Sequence, residues 1–275
     1  MSELVPMTLR EQQLVELEIM KEIHRVCKEY NIRYWLMYGS LIGAVRHDGF
    51  IPWDDDIDIA MPRKDYNKFV EVCNKGVLND KFDIQNYHTD PKFEFIISRV
   101  GMKGTYSNTE SRYKMKSKSF CYIDIFPMEN APNDRHQLYK HMRDIDGIKK
   151  IKRLRMNYSY KQNGIIKKAI KYIVALPFKV LPIRWYAKKH EKIATRYNND
   201  VTRRFVGLGG GYSYEKELQE WENVEQLLLH KFEDCEFWIP KGYNNILTNL
   251  YGDYMKLPPE SERIVKHTAY WVIEK

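Results

Sequence analysis

Four carboxylates fall within five positions in IPWDDDIDIAMPR (Ile51–Arg63): Asp54, Asp55, Asp56 and Asp58. From Asp56 onward acidic and apolar residues alternate with a period of two, which suits an extended strand and not a helix. Asp54, Asp56, Asp58 and Ala60 then share one face, and Asp55, Ile57, Ile59 and Met61 share the other. The Ile57-Ile59-Met61 stripe requires a core, so Asp56 and Asp58 must face a cleft or water. FCYIDIFPM (Phe120–Met128) repeats the device with a lone Asp124 between Ile123 and Ile125. The chain has to build a sheet that buries its isoleucines while presenting carboxylates.

Carboxylates two apart on one strand face repel each other unless a cation lies between them. Mg²⁺ takes a few carboxylates together with phosphate oxygens, so D-x-D on a strand is apt for a metal–phosphate site. The alternative for D-x-D alone is a solvated acidic edge strand that discourages pairing with other chains. Two other features weigh toward the site. Gly39-Ser40 stands between the β-rich run IRYWLMYG and a helix start, where free N–H groups and the positive end of the dipole suit a phosphate; alone it also reads as a turn. Asp124, in an otherwise apolar strand, is costly to bury unless it is paired or metal-bound.

The surrounding elements read as α/β. Thr8-Leu9-Arg10-Glu11 is a capping box, and Leu14, Leu17, Met20, Ile23, Cys27 and Tyr30 recur at helical spacing behind it, predicting a helix over residues 9–30. A short helix or turn is expected in SLIGAVRHDG, a strand over DDDIDIAM and a helix over Asp65–Asn74. Three more strands are expected in FDIQNY, FEFIISRVG and FCYIDIFPM. From Asp134 to Asn198 the texture changes to basic helical segments interrupted by Gly164, Pro177 and Pro182. The glycine-rich GLGGGYS (Gly207–Ser213) has neither the P-loop lysine nor a dinucleotide fingerprint and reads as a loop or lid. A short strand and a helix (Tyr243–Tyr251) stopped by Gly252 follow. The division expected is a catalytic core over 1–133, a basic helical insertion over 134–200, and a segment over 201–275 that completes the core and the acceptor side.

Composition narrows the partners. The 45 basic and 37 acidic residues leave a formal charge of +8, which favours an anionic partner: nucleic acid, a phosphorylated substrate or an anionic membrane face. Cys27, Cys73, Cys121 and Cys235 show no C-x-x-C and read as buried reduced thiols of a cytosolic protein. No H-E-x-x-H occurs among the eight histidines, which argues against a structural zinc site. MSELVPMTLREQQ is polar and is not read as a secretory signal.

Strand, Gly-Ser, D-x-D strand and a later Asp is the ordered pattern of the nucleotidyltransferase superfamily, the polymerase-β-like fold. YGSLIGAVRHDGFIPWDDDIDIAMPRKDY, YIDIFPME and FEDCEFWIPKGYNNILTNLYGDYMKLPPE closely resemble the LicD family of phosphocholine transferases, relatives of the fukutin-type sugar-phosphate transferases. That resemblance implies a mixed-sheet nucleotidyltransferase core that moves phosphocholine from CDP-choline to a sugar hydroxyl of a glycan precursor. Asp56 and Asp58 match the metal-binding pair, Asp124 the third acidic position, and Gly39 and Ser40 the family's Gly-Thr/Ser. Mg²⁺, one ion or two, is the implied cofactor, with Mn²⁺ as a substitute. The chain departs at His267-Thr268, where paired histidines are expected, and at Arg99, which replaces the usual lysine.

In this reading Asp124 also takes the proton from the attacking hydroxyl. Arg46 and Arg99 are candidate phosphate clamps, against a reading as ordinary ion pairs. Trp53 and Tyr122 are candidate faces for the choline ammonium, against core packing. Ile165–His190 is too charged to span a bilayer and suits an interfacial helix, against a basic face packed over the core. The expected partners are CDP-choline, a lipid-linked glycan acceptor and the anionic inner face of the cytoplasmic membrane, with no nucleic acid. Two rivals stand: a transferase of the same fold that passes a nucleotide monophosphate or another sugar- or polyol-phosphate, and a non-catalytic membrane- or nucleic-acid-binding protein.

Overall fold

The capping box closes as its sequence requires. In the computed structural model, which describes residues 2–108, 119–156, 173–265 and 267–274, the Glu11 N–H donates to the Thr8 hydroxyl at 3.2 Å and the Thr8 N–H donates to the Glu11 carboxylate at 2.7 Å. Helix α1 (Leu9–Glu29) follows. Its later turns bury Ile19, Met20, Ile23 and Val26, each contributing on the order of 1.5–3 kcal/mol. Its first turns depart from the expected apolar stripe: Leu14 is 48% exposed, while Gln12, Gln13 and Glu16 are buried. The reason is local. The Gln12 amide donates to the Asp55 carbonyl at 2.6 Å and the Gln13 amide to the Asp54 carbonyl at 3.0 Å, so this end of α1 grips the acidic segment.

The same grip shortens the acidic strand. The strand begins only at Asp58, and residues 54–57 lie outside the ladder, with two of their carbonyls already taken by α1. The alternation nonetheless persists: Asp55 and Ile57 are buried, whereas Asp54, Asp56 and Asp58 are half-buried. In chain order the strands are β1 (Ser2–Pro6), β2 (Trp35–Leu36), β3 (Asp58–Pro62), β4 (Phe82–Gln85), β5 (Ser98–Met102), β6 (Thr105–Asn108) and β7 (Cys121–Ala131). Then come β8 (Arg204–Gly207), β9 (Leu218–Glu220), β10 (Leu227–Phe232), β11 (Cys235–Pro240) and β12 (Thr268–Glu274). The expected strand FEFIISRVG contributes only its second half, β5; Phe93 to Ile97 lies outside the ladder.

The central sheet runs β2-β3-β7-β5-β4, with β8 joined to β7 and β9 to β8. It is mixed: β3 and β7 are parallel, while β5 and β8 pair antiparallel with β7. Long β7 uses its first half for β5 and its second for β8. Ile57, Ile59, Ile123 and Ile125 are fully buried, as the period-two pattern demands. A second sheet, β1-β12-β6, ties the two ends of the chain together, with Ser2 opposite Glu274. Helix α2 (Tyr38–His47) connects β2 to β3, and α3 (Arg63–Asn74) follows β3. The basic region forms α4 (Arg135–Met156) and α5 (Ile183–Ala194), which pack on each other, and residues 173–179 are helical. Helix α6 (Tyr243–Tyr251) ends at Gly252, whose φ of 72° is the left-handed conformation that glycine tolerates. Among the described residues no helix is long and apolar enough to cross a membrane.

Candidate active site

The register of the sheet assembles the site. Asp58 on β3 lies opposite Asp124 on β7, and Asp124 lies opposite Arg99 on β5, so the three side chains form one row across adjacent strands. Arg99 Nε donates to Asp124 Oδ1 at 2.5 Å, and its guanidinium lies 4.9, 5.1 and 4.3 Å from the rings of Phe93, Phe95 and Tyr122. Arg99 is therefore buried and committed to Asp124. Its geometry positions a carboxylate.

Ser40 fixes the other end of the row: its hydroxyl accepts the Asp58 N–H at 2.8 Å and locks the start of β3 to the first turn of α2. A Cβ on Gly39 would come within 2.7 Å of the Asp54 carboxylate, so a larger residue here would push that side chain aside. Preceding it, Tyr38 adopts φ 52° and is held by its hydroxyl, which donates to Glu217 at 2.8 Å, and by its packing on Phe126 and Tyr212. Burial, opposed by Tyr38 and Lys149, pushes the Glu217 carboxyl up to about 8.

Negative charge accumulates around Asp58. Burial first, then the charges of Asp56, Asp124, Asp54 and Glu16, push its carboxyl well above the usual range. Glu16, on α1, is also driven up, by burial and then by Asp56, and its Oε2 is buried with no hydrogen-bond partner among the described residues. Sequence reasoning missed Glu16; a glutamate spaced i, i+4 from Gln12 on the buried face of α1 was the signal.

Asp55 takes a different part. It faces inward with Ile57, accepts the backbone N–H of His267 at 2.5 Å and pairs with His267 Nδ1 at 3.1 Å. His267 thus has a partner in the acidic segment, although the paired histidines are absent. Among the described residues, the ligand atoms of Asp55, Asp56 and His267 all lie within 4.8 Å of one another. Asp58 and Asp124 are register neighbours outside that group.

The other expected residues are spread more widely. Arg46 donates to the Tyr254 carbonyl at 2.5 Å and to His47 at 2.9 Å, anchoring the turn after α6. Trp53 carries the Arg263 guanidinium over its ring at 5.3 Å, as Tyr122 carries Arg99. Burial first, then Tyr212 and, more weakly, Asp58 and Glu217 push the Tyr251 hydroxyl up, and Tyr212 Oη donates to Tyr251 Oη at 3.0 Å. That tyrosine pair, from the glycine-rich loop and α6, lay outside the aromatics chosen from sequence.

Fold and site together define a mixed α/β protein with an acidic cluster at the start of a parallel strand pair. The family model described as LicD/FKTN/FKRP, nucleotidyltransferase domain, matches residues 31–150, which include Asp56, Asp58, Arg99 and Asp124. The lipopolysaccharide cholinephosphotransferase LicD of Haemophilus influenzae is 32% identical over 269 residues, covering 95% of this chain and 96% of the relative. An uncharacterised Rickettsia typhi protein is 44% identical over 129 residues, 40% of each chain. The ribitol 5-phosphate transferase FKRP of Mus musculus is 48% identical over 40 residues, 14% of this chain and 8% of the relative. The chain belongs to the LicD/FKTN/FKRP family.

Proposed function

We propose that this protein transfers phosphocholine from CDP-choline to a sugar hydroxyl of a teichoic-acid-like or lipopolysaccharide-like precursor, on a nucleotidyltransferase (polymerase-β-like) core. The observation that carries the reading is the in-register Asp58–Asp124–Arg99 row, within a chain similar over almost its whole length to a cholinephosphotransferase. The acceptor oxygen attacks the phosphorus bearing choline, the bond from that phosphorus to the bridging oxygen breaks, and CMP leaves with that oxygen. Asp124, oriented by Arg99, accepts the hydroxyl proton.

The donor set fits a hard cation: Asp56, Asp58 and Asp124 are half-buried, Asp124 pairs with Arg99, and the buried Glu16 Oε2 has no hydrogen-bond partner among the described residues. Asp56, Asp58 and Asp124 would hold Mg²⁺ or Mn²⁺, one ion or two. Bound there, the cation would neutralise charge on the transferring phosphate. The faces of Trp53 and Tyr122 that carry arginines are closed to choline. The Tyr212–Tyr251 pair beside Asp58 is the better platform for its ammonium.

A membrane-bound acceptor suits the surface of the basic region. Val180 is 82% exposed and Ile173 64%, and Leu176 and Trp185 are also exposed, with Lys179 and Lys188 interleaved in the same stretch of sequence. Such a surface supports peripheral attachment at the cytoplasmic face of an anionic membrane. Residues 165–172, with Lys167, Lys168 and Lys171, lie outside the described residues.

The test is metal dependence through the paired carboxylates. Asp56→Ala and Asp58→Ala should fold, and each should lower transfer by about 10²-fold or more, as should chelation by EDTA. Near-normal turnover in either folded variant or in EDTA would contradict the proposal.

A further inference from the structure

Part of the positive charge of α4 is turned inward. Lys149 and Lys152 stand three residues apart on one face of the helix. Lys149 Nζ donates to the Gly210 carbonyl of the glycine-rich loop at 3.2 Å. Lys152 Nζ lies 3.5 Å from His190 Nδ1 and 6.0 Å from the centroid of Phe95. Neither ammonium forms an ion pair among the described residues, and Glu217 and Glu94 attract them only at longer range.

A carbonyl and an imidazole do not compensate two half-buried cations. Burial, then the charges of Lys152 and Lys149, hold His190 well below its usual range, so it stays neutral beside them; its Nε2 is buried with no partner among the described residues. Burial also pushes Lys152 down to about 8, and Lys149 opposes its charge further. Partly desolvated charge without an ion-pair partner is unfavourable, and two like charges on one helix face add to the cost. An anion between them would relieve both terms.

Their position links them to the acidic row. The Phe95 ring beneath Lys152 also lies 5.1 Å from Arg99, which holds Asp124. On the other side, a Cβ at Gly210 would lie 3.3 Å from Glu217 and 3.6 Å from the Tyr38 hydroxyl, at the start of α2. We propose that Lys149 and Lys152 form a phosphate-binding subsite beside the acidic row. The ligand is a phosphate-bearing anion, either the diphosphate of the donor nucleotide or a phosphate carried by the acceptor glycan. The link to transfer rests on the function proposed above; the anion binding does not.

The experiment is calorimetry of the full chain with inorganic pyrophosphate and with CDP-choline, followed by transfer kinetics. Lys149→Gln and Lys152→Gln should each weaken pyrophosphate binding by about 10- to 100-fold, the loss typical of a charge-assisted hydrogen bond. Neither should lower the thermal midpoint, because each removes a half-buried charge that has no ion-pair partner among the described residues. Lys152→Arg, which keeps the charge, should retain most of the binding. A rise in KM for CDP-choline assigns the subsite to the donor, and a rise confined to the acceptor assigns it to the glycan. Unchanged pyrophosphate binding in folded glutamine variants would overturn the subsite and leave the proposed function standing. So would an equal loss of binding in Lys152→Arg. Lysine-dependent pyrophosphate binding without any CDP-choline binding would support the subsite and overturn the proposed donor. Binding of neither probe by the wild-type protein would overturn both.

Discussion

At the scale of single residues, the site depends on how Asp124 is held. Asp124→Asn keeps the shape and the Arg99 contact but cannot accept a proton. Transfer should fall by about 10²-fold or more while calorimetry finds CDP-choline binding largely retained. Loss of donor binding would make Asp124 chiefly a metal ligand. Arg99→Met leaves a partly buried carboxylate without its cation and should cost about 3 kcal/mol or more in denaturant unfolding; an unchanged midpoint would refute the positioning role. The facing of Asp58 and Asp124 was legible, because a period-two alternation sets them opposite the buried isoleucines; Asp56 instead lies before the ladder, with its carboxylate near Asp55 and His267. The partners of those residues were not legible. Nothing in the one-dimensional pattern places Arg99 opposite Asp124, since that depends on the antiparallel register of β5 with β7. Nor does it bring His267 to Asp55 across the whole chain.

At the scale of elements, local signals predicted well where the chain satisfied its own needs. The capping box, the stop at Gly252 and the buried isoleucines all follow from nearby sequence. The reading failed where one element took over another's hydrogen bonds: α1 buries Gln12 and Gln13 because the acidic segment supplies their acceptors, and that segment therefore joins the ladder late. The short turn Tyr214–Glu217 offers a pH test of such packing. Glu217 has its folded-state value raised to about 8, so the folded protein keeps a proton that the unfolded chain releases near its ordinary value. The stabilising contribution is present at low pH and is lost as pH rises toward 8, with a slope approaching about 1.4 kcal/mol per pH unit. Glu217→Gln removes this dependence. Relative to the wild type, the variant should gain stability steadily from pH 5 to pH 8 in parallel urea titrations; a constant difference would show that Glu217 is not held protonated.

At the scale of the whole molecule, the pairing of β1 with β12 ties both ends of the chain to one sheet, and β8 attaches the C-terminal third to β7. The basic helices lie over this frame: Lys149 and Lys152 face inward, and the exposed apolar residues around Val180 face out. Val180→Glu, at an 82% exposed position, should leave the fold intact and weaken cosedimentation with phosphatidylglycerol vesicles. Wild-type binding should itself weaken as salt rises. Equal vesicle binding by both proteins would remove the membrane role. The central claim is that phosphocholine, and not the nucleotide, moves to the acceptor. The most direct measurement uses CDP-choline labelled separately in the choline methyls and in cytidine, incubated with the protein, Mg²⁺ and cell-envelope glycan. The account predicts choline label on the glycan, an equal amount of free CMP, and neither product with Asp58→Ala. Cytidine label on the glycan, or choline transfer undiminished in the folded variant, would contradict it.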